Sequence, residues 1–117
     1  MRARRALLYM PGDDERKIRK ATTLGADCVC LDMEDGVALS RKDEARALIP
    51  RMLAELDFGR AERLARINPV GSGMEADDLA AALDGRPDGI VIPKVETGDA
   101  MAGLLILQLI FLSLGAL

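Results

Sequence analysis

The sequence predicts an α/β fold of about four parallel strands covered by helices. Short apolar runs at residues 6–10, 28–31, 64–68 and 89–92 alternate with helix-like segments. The runs are largely continuous rather than alternating, as in strands buried on both faces. Polar residues gather at the C-terminal end of each run. The chain has 117 residues, enough for one small domain. A closed (β/α) barrel takes about 250, so a barrel pattern here is incomplete. Periodicity leaves half a barrel and part of a doubly wound sheet both open.

The first strand, Ala6-Leu7-Leu8-Tyr9-Met10, stops at the turn dipeptide Pro11-Gly12. A helix then starts at Asp13. Asp13, Asp14 and Glu15 sit in its first turn, where the helix dipole favours acids. Ile18, Ala21 and Leu24 form its apolar side, and Gly25 suits its end. The second strand, Cys28-Val29-Cys30-Leu31, runs into Asp32-Met33-Glu34-Asp35-Gly36. Ser40-Arg41-Lys42-Asp43 resembles a capping box with Asp in place of Glu. Ala45, Leu48, Ile49, Met52, Leu53 and Leu56 follow at helical spacing, and Pro50 predicts a kink or early stop. The third strand is Leu64-Ala65-Arg66-Ile67-Asn68, closed by Pro69. After the loop Val70-Gly71-Ser72-Gly73 comes a short helix with Glu75, Asp77 and Asp78 in its first turn. Leu79, Ala82 and Leu83 form its apolar side, and Gly85-Arg86-Pro87 ends it. The fourth strand, Gly89-Ile90-Val91-Ile92, precedes Pro93-Lys94.

The net charge of -3 gives no nucleic-acid footprint. Histidine is absent, which removes the commonest general base and metal ligand. Chemistry must rest on carboxylates, Lys, Arg, Tyr or backbone groups. Cys28 and Cys30 read as buried core thiols in a reducing compartment, since C-x-C without His makes a poor zinc site. Residues 1–5, MRARR, form a basic stub, and the apolar stretch after it is too short for a secretory signal. A transit-peptide remnant is an open reading of that stub. Residues 100–117 carry no charge. This tail reads as a minimal membrane helix, a buried helix over the fourth strand, or the aberrant end of a truncated or misread frame. The last is the reading taken, and membrane attachment through 100–117 is not favoured. The chain therefore divides into the stub 1–5, a barrel-type unit 6–99 and the tail 100–117.

The polar strand ends define a rim. The first unit brings Tyr9, with Arg16 and Lys20 on the helix behind it. The second brings Asp32, Glu34 and Asp35; the third Arg66 and Asn68; the fourth Lys94 and Glu96. Ligands of barrels and open α/β sheets bind at this end. The acidic cluster also reads as a solvated turn, and the basic set Arg16, Lys17, Arg19 and Lys20 as a solvated helix face. Arg66 is harder to dismiss, because an arginine inside an apolar strand is costly unless paired or liganded. A ligand role and an ion pair with the second strand's carboxylates are compatible. Gly71-Ser72-Gly73 lacks the third glycine of a dinucleotide fingerprint, and there is no Walker lysine pattern.

Four strings carry a resemblance: residues 8–12 (LYMPG), 26–37 (ADCVCLDMEDGV), 66–68 (RIN) and 92–96 (IPKVE). In this order and spacing they resemble the citrate lyase β-subunit-like proteins of the HpcH/HpaI aldolase superfamily, over residues 6–97. The resemblance implies a TIM barrel, a homo-oligomer, and a magnesium-dependent carbon–carbon lyase. The implied substrates are hydroxyacyl-CoA thioesters of the citramalyl, malyl or citryl type, in the cytoplasm or mitochondrial matrix. It implies that Arg66 faces the developing oxyanion, that Glu34 and Asp35 orient Arg66 and the metal's water shell, and that Tyr9, Arg16 and Lys20 contact the substrate or its CoA part. Lys94 joins the substrate-binding set from its place on the rim. The family's metal-binding carboxylates come from later strands, and no charged residue follows Asp99. No metal ligand is assigned in this chain, and its lyase activity is expected to be impaired. The alternative is a non-catalytic fragment, tethered to a membrane or pairing with a full-length relative. A phosphate-binding module built on Arg16 and Lys20 is a third reading.

Overall fold

The computed structural model describes residues 6–93 and the backbone of residues 106–111. Its strands are β1 (Leu7–Pro11), β2 (Cys28–Asp32), β3 (Glu62–Arg66), β4 (Gly89–Pro93) and β5 (Ile106–Phe111). The helices α1 (Glu15–Ala21), α2 (Lys42–Glu55) and α3 (Glu75–Asp84) connect the first four. The sheet order is β1-β2-β3-β4-β5, with β1 to β4 parallel and β5 antiparallel to β4. A doubly wound sheet reverses its strand order at a switch point. Here each βα unit lays its strand beside the last, as in a (β/α) barrel. That resolves the choice periodicity left open.

The two-residue period of a strand sorts the core into two faces. Val29, Leu31, Ala65 and Ile90 pack with Ile18, Ala45, Ile49, Met52 and Ala82 of the helices. Cys28, Cys30, Leu64 and Val91 pack together on a second cluster, with Tyr9 against them. Both cysteines are buried core thiols outside any disulfide, as expected. Burial on both sides explains why the strand sequences do not alternate.

Several boundaries differ from expectation. Asp14 caps α1, accepting a 3.0 Å hydrogen bond from the Lys17 amide. The helix stops at Ala21, and Leu24, expected on its apolar side, is exposed. The capping box does not form. Ser40 lies in a short 3-10 turn, Leu39–Arg41, and no side chain caps α2. Arg41 instead pairs with Asp13 and Glu44, tying the loop after β1 to the start of α2. α2 also runs through Pro50. Proline cannot donate to the Arg46 carbonyl, but Ile49, Met52 and Leu53 around it are fully buried and hold the helix in place. The third strand begins earlier than expected, at Glu62.

The tail departs from both helical readings where it is described. Residues Ile106–Phe111 form an antiparallel edge strand, and the rest of 100–117 lies outside the described residues. Among the described residues, no helix is long and apolar enough to cross a membrane. The basic stub, Lys94 and Glu96 also lie outside them.

Gly12 shows how tightly the first loop closes over the sheet. Its amide donates a 2.8 Å hydrogen bond to the Asp32 carbonyl. A Cβ there would sit 2.5 Å from that oxygen and 2.5 Å from Ile49 Cδ1. Gly12→Ala should therefore destabilise the fold by roughly 1–3 kcal/mol, the usual range for overpacking. Urea denaturation checks this, and an unchanged midpoint would contradict the close packing described.

Candidate functional site

Asp32 and Arg66 are the last residues of β2 and β3, and the parallel register sets them side by side. Arg66 Nε donates to Asp32 Oδ1 and Nη2 to Oδ2, each at 2.8 Å. The same carboxylate accepts the Glu34 amide at Oδ1 and the Gly36 amide at Oδ2, again at 2.8 Å. Four donors thus satisfy a residue that is only 2% exposed. A buried carboxylate is tolerable on those terms. Gly36 is needed for this turn, since a Cβ would fall 2.8 Å from Asp32 Oδ2.

Glu34 stands on the other side of the guanidinium, with Oε1 3.3 Å from Nη1. The guanidinium carbon lies 4.6 Å from the centroid of the Tyr9 ring, a cation–π distance. Arg66 is thus held between two carboxylates and an aromatic ring. Burial acts to raise the Asp32 pKa, but the Arg66 hydrogen bonds and the two amides outweigh it and leave it below the ordinary value. For Glu34 burial wins, despite Arg66, and its pKa is raised. The Asp32 hydrogen bonds are the main reason the Arg66 pKa lies above the usual arginine value. Burial is the largest cause pushing Tyr9 up to about 12, so the phenol stays neutral. Its buried hydroxyl has no hydrogen-bond partner among the described residues.

A second layer grips the turn from behind. The Met33 amide donates to the Arg66 carbonyl at 2.9 Å. Lys42 Nζ donates to the carbonyls of Met33 and Glu34, at 2.6 and 2.7 Å. Asn68 Nδ2 donates to the Met33 carbonyl at 3.0 Å and to Asp78 Oδ2 at 2.6 Å. Asp78 is fully buried and pairs with Arg46 on its other oxygen, at 2.7 Å.

The structure therefore brings together Tyr9, Glu34 and Arg66 from the expected set. Asp35 is exposed, and among the described residues no hydrogen bond or ion pair engages its carboxylate. Asp32 is the second carboxylate on Arg66. Arg16 and Lys20 are exposed on α1 and make no ion pair among the described residues, whereas Lys17 and Arg19 pair with Asp14 and Glu15. Lys42, Arg46 and Asp78 escaped the sequence reading. Asp78 looked like an ordinary first-turn acid. Its one signal was spacing, four residues before Ala82, on the side of α3 that both residues bury.

An open cavity of about 790 Å³ lies at the opposite end of the sheet, lined by Thr22, Asp27, Phe58 and Arg60 among others. It is remote from the strand ends where α/β sheets bind ligands. No group of three or more acidic or cysteine residues among the described ones could hold a metal. Of the three rim acids, Asp32 and Glu34 are engaged by Arg66 and Asp35 stands exposed without a second free carboxylate beside it, so the described residues do not fit a magnesium site.

Residues 5–106 match the family model for HpcH/HpaI aldolase/citrate lyase. The chain belongs to this family. It is 47% identical over 98 residues to a human mitochondrial citramalyl-CoA lyase, covering 82% of this chain and 29% of that protein. It is 41% identical over 93 residues to a (3S)-malyl-CoA thioesterase of Cereibacter sphaeroides, covering 80% of this chain and 33% of that one. Among solved structures it resembles the protein CitE from Mycobacterium tuberculosis in complex with magnesium, acetoacetate and coenzyme A. The TM-score there is 0.68 at 35% identity, covering 82% of this chain and 34% of that one. The chain thus spans a third or less of the length of these curated relatives.

Asp32→Asn replaces two amide-accepting, Arg-paired oxygens by an amide and leaves Arg66 short of a counter-charge. We expect a loss of about 3 kcal/mol, the scale for breaking a buried pair. A carboxyl whose folded pKa is lowered stabilises the fold above its unfolded value of about 3.9, and that contribution disappears as pH falls through the folded pKa. Glu34, with a raised pKa, contributes in the opposite sense. Denaturation at neutral and acidic pH should therefore show a smaller gap between the two proteins in acid. A gap that stays constant down to about pH 2 would contradict the Asp32 assignment.

Proposed function

We propose that this chain is the substrate-binding part of a carbon–carbon lyase acting on hydroxyacyl-CoA thioesters of the citramalyl-CoA, malyl-CoA or citryl type. The observation that supports it best is Arg66: a charged group at a strand end, fixed in direction by Asp32, with donors to spare. A guanidinium has five N–H donors. Two are taken by Asp32 and Nη1 also faces Glu34 at 3.3 Å; the donors left beyond these are suited to a thioester oxygen. Cleavage of the substrate's carbon–carbon bond leaves an enolate, whose charge collects on that oxygen. A fixed donor there stabilises the transition state more than the ground state.

Each neighbour has a part. Asp32 and Glu34 orient Arg66. Asp35 bears on it through repulsion of Glu34. Neutral Tyr9 offers a hydroxyl without adding charge. One cation and two carboxylates carry no net positive charge, so attraction of the anionic CoA falls to Arg16 and Lys20, and to Lys94, the next residue in sequence after Pro93. Magnesium accompanies the related CitE crystal; in this chain the described residues do not fit it, and their work is binding and orientation. Accordingly the 117-residue chain binds CoA thioesters without turning them over. The name of the human relative supports a mitochondrial location over the cytoplasm. A second reading is a non-catalytic partner of a full-length relative. It is favoured by the edge of β1, which ends the sheet and pairs with no further strand among the described residues.

Calorimetric titration separates these ideas. Coenzyme A should bind without magnesium, and reversing both charges in Arg16→Glu/Lys20→Glu should weaken it by about tenfold or more, the equivalent of roughly 1.4 kcal/mol. Arg66→Lys should weaken acetyl-CoA but not free coenzyme A, because lysine cannot keep the paired geometry. Unchanged affinities in both variants would overturn the binding proposal. Magnesium-dependent cleavage of citramalyl-CoA or malyl-CoA by this chain would overturn the proposed inactivity.

A further inference from the structure

We infer that Asp78 is a positioning residue for Arg66, acting across α3 and the β2 turn without touching the guanidinium; the inference rests on the proposed role of Arg66. Met33 separates Asp32 from Glu34, the two carboxylates on Arg66. The direction of both depends on how the Met33 peptide groups are held. Its amide is fixed to β3 through the Arg66 carbonyl. Its carbonyl is fixed by Lys42 and by Asn68 Nδ2. Asp78 determines which way that Asn68 amide faces. One carboxylate oxygen accepts both the Asn68 backbone amide, at 2.9 Å, and its Nδ2, at 2.6 Å. Held at both points, the side chain presents its Nδ2 to Met33 as well.

Desolvation tells against Asp78 as a simple anchor for α3. The residue is fully buried, and an apolar side chain of like volume often anchors a helix as well or better than a buried ion pair. An apolar side chain cannot, however, orient an amide. A fully satisfied buried network fixes one geometry, and here that geometry ends at Arg66. Arg46 completes the charge balance on the other oxygen and is itself held by Asp43. It touches neither Asn68 nor the turn, so it serves as the internal control.

The test is nuclear magnetic resonance of the ¹⁵N-labelled chain without ligand. The Arg66 Nε–H, paired to Asp32, should exchange slowly. In Asp78→Asn and Asn68→Ala its exchange should be about tenfold faster, on the scale of one lost hydrogen bond. The ring signals of Tyr9, the only tyrosine in the chain, should shift with it. Arg46→Met should lower stability and leave both signals in place. If Asp78→Asn and Asn68→Ala lower stability but leave Arg66 and Tyr9 unchanged, Asp78 is an anchor and the inference is overturned. Should Asp78→Asn not fold, Asn68→Ala decides, because it keeps the Asp78–Arg46 pair and cuts only the relay. Coenzyme A binding is measured separately, so its failure would remove the proposed function without altering this outcome.

Discussion

The carboxylate of Asp32 joins more of this molecule than any other group described. Its two oxygens receive Arg66 from the next strand and the Glu34 and Gly36 amides from its own turn. Its backbone carbonyl receives Gly12 from the loop after β1. Three consecutive strand ends are thereby referred to one residue. Burial would otherwise make an ionised carboxylate there prohibitive. Because every acceptor direction is used, the same burial strengthens the hydrogen bonds that hold the rim.

The rim's polarity follows from the sheet's construction. Parallel strands in sequential order place all their C-terminal ends on one edge, so the residue that ends each strand contributes to a shared surface. Small residues let the backbone segments close over it: Gly12 against Ile49 and the Asp32 carbonyl, Gly36 against the Asp32 carboxylate. Behind them a chain of Lys42, Asn68, Asp78 and Arg46 runs back to α2 and α3. The helices therefore bury the sheet and also hold the turn that carries Glu34.

Much of this was legible in the sequence. Apolar runs gave four strands, and an arginine within one of them marked Arg66 as paired or liganded. What escaped notice had a physical reason. Ser40 and Asp43 have the spacing of a capping box, but Arg41 is drawn to Asp13 and Glu44, and a 3-10 turn takes the cap's place. Pro50 signalled a break that buried packing overrides. Asp35 stood in the same acidic cluster as Asp32 and Glu34, yet the tight turn at Gly36 directs only those two to Arg66. Asp78 was hidden because acids in a first turn are ordinary, and its partners Asn68 and Arg46 are 10 and 32 residues away. Local pattern does not reveal pairs at that separation. The antiparallel β5 was invisible for a related reason: an uncharged run of that kind suits strand and helix alike.

The central claim is that Asp32 and Arg66 act as one unit on which the rim depends. A double-mutant cycle with Asp32→Asn and Arg66→Met, read by equilibrium denaturation, measures it directly. The account predicts a coupling energy of about 2 kcal/mol or more, in the range for residues in one hydrogen-bonded network. Additive effects, within roughly 0.5 kcal/mol, would show that the two side chains contribute independently and would contradict it.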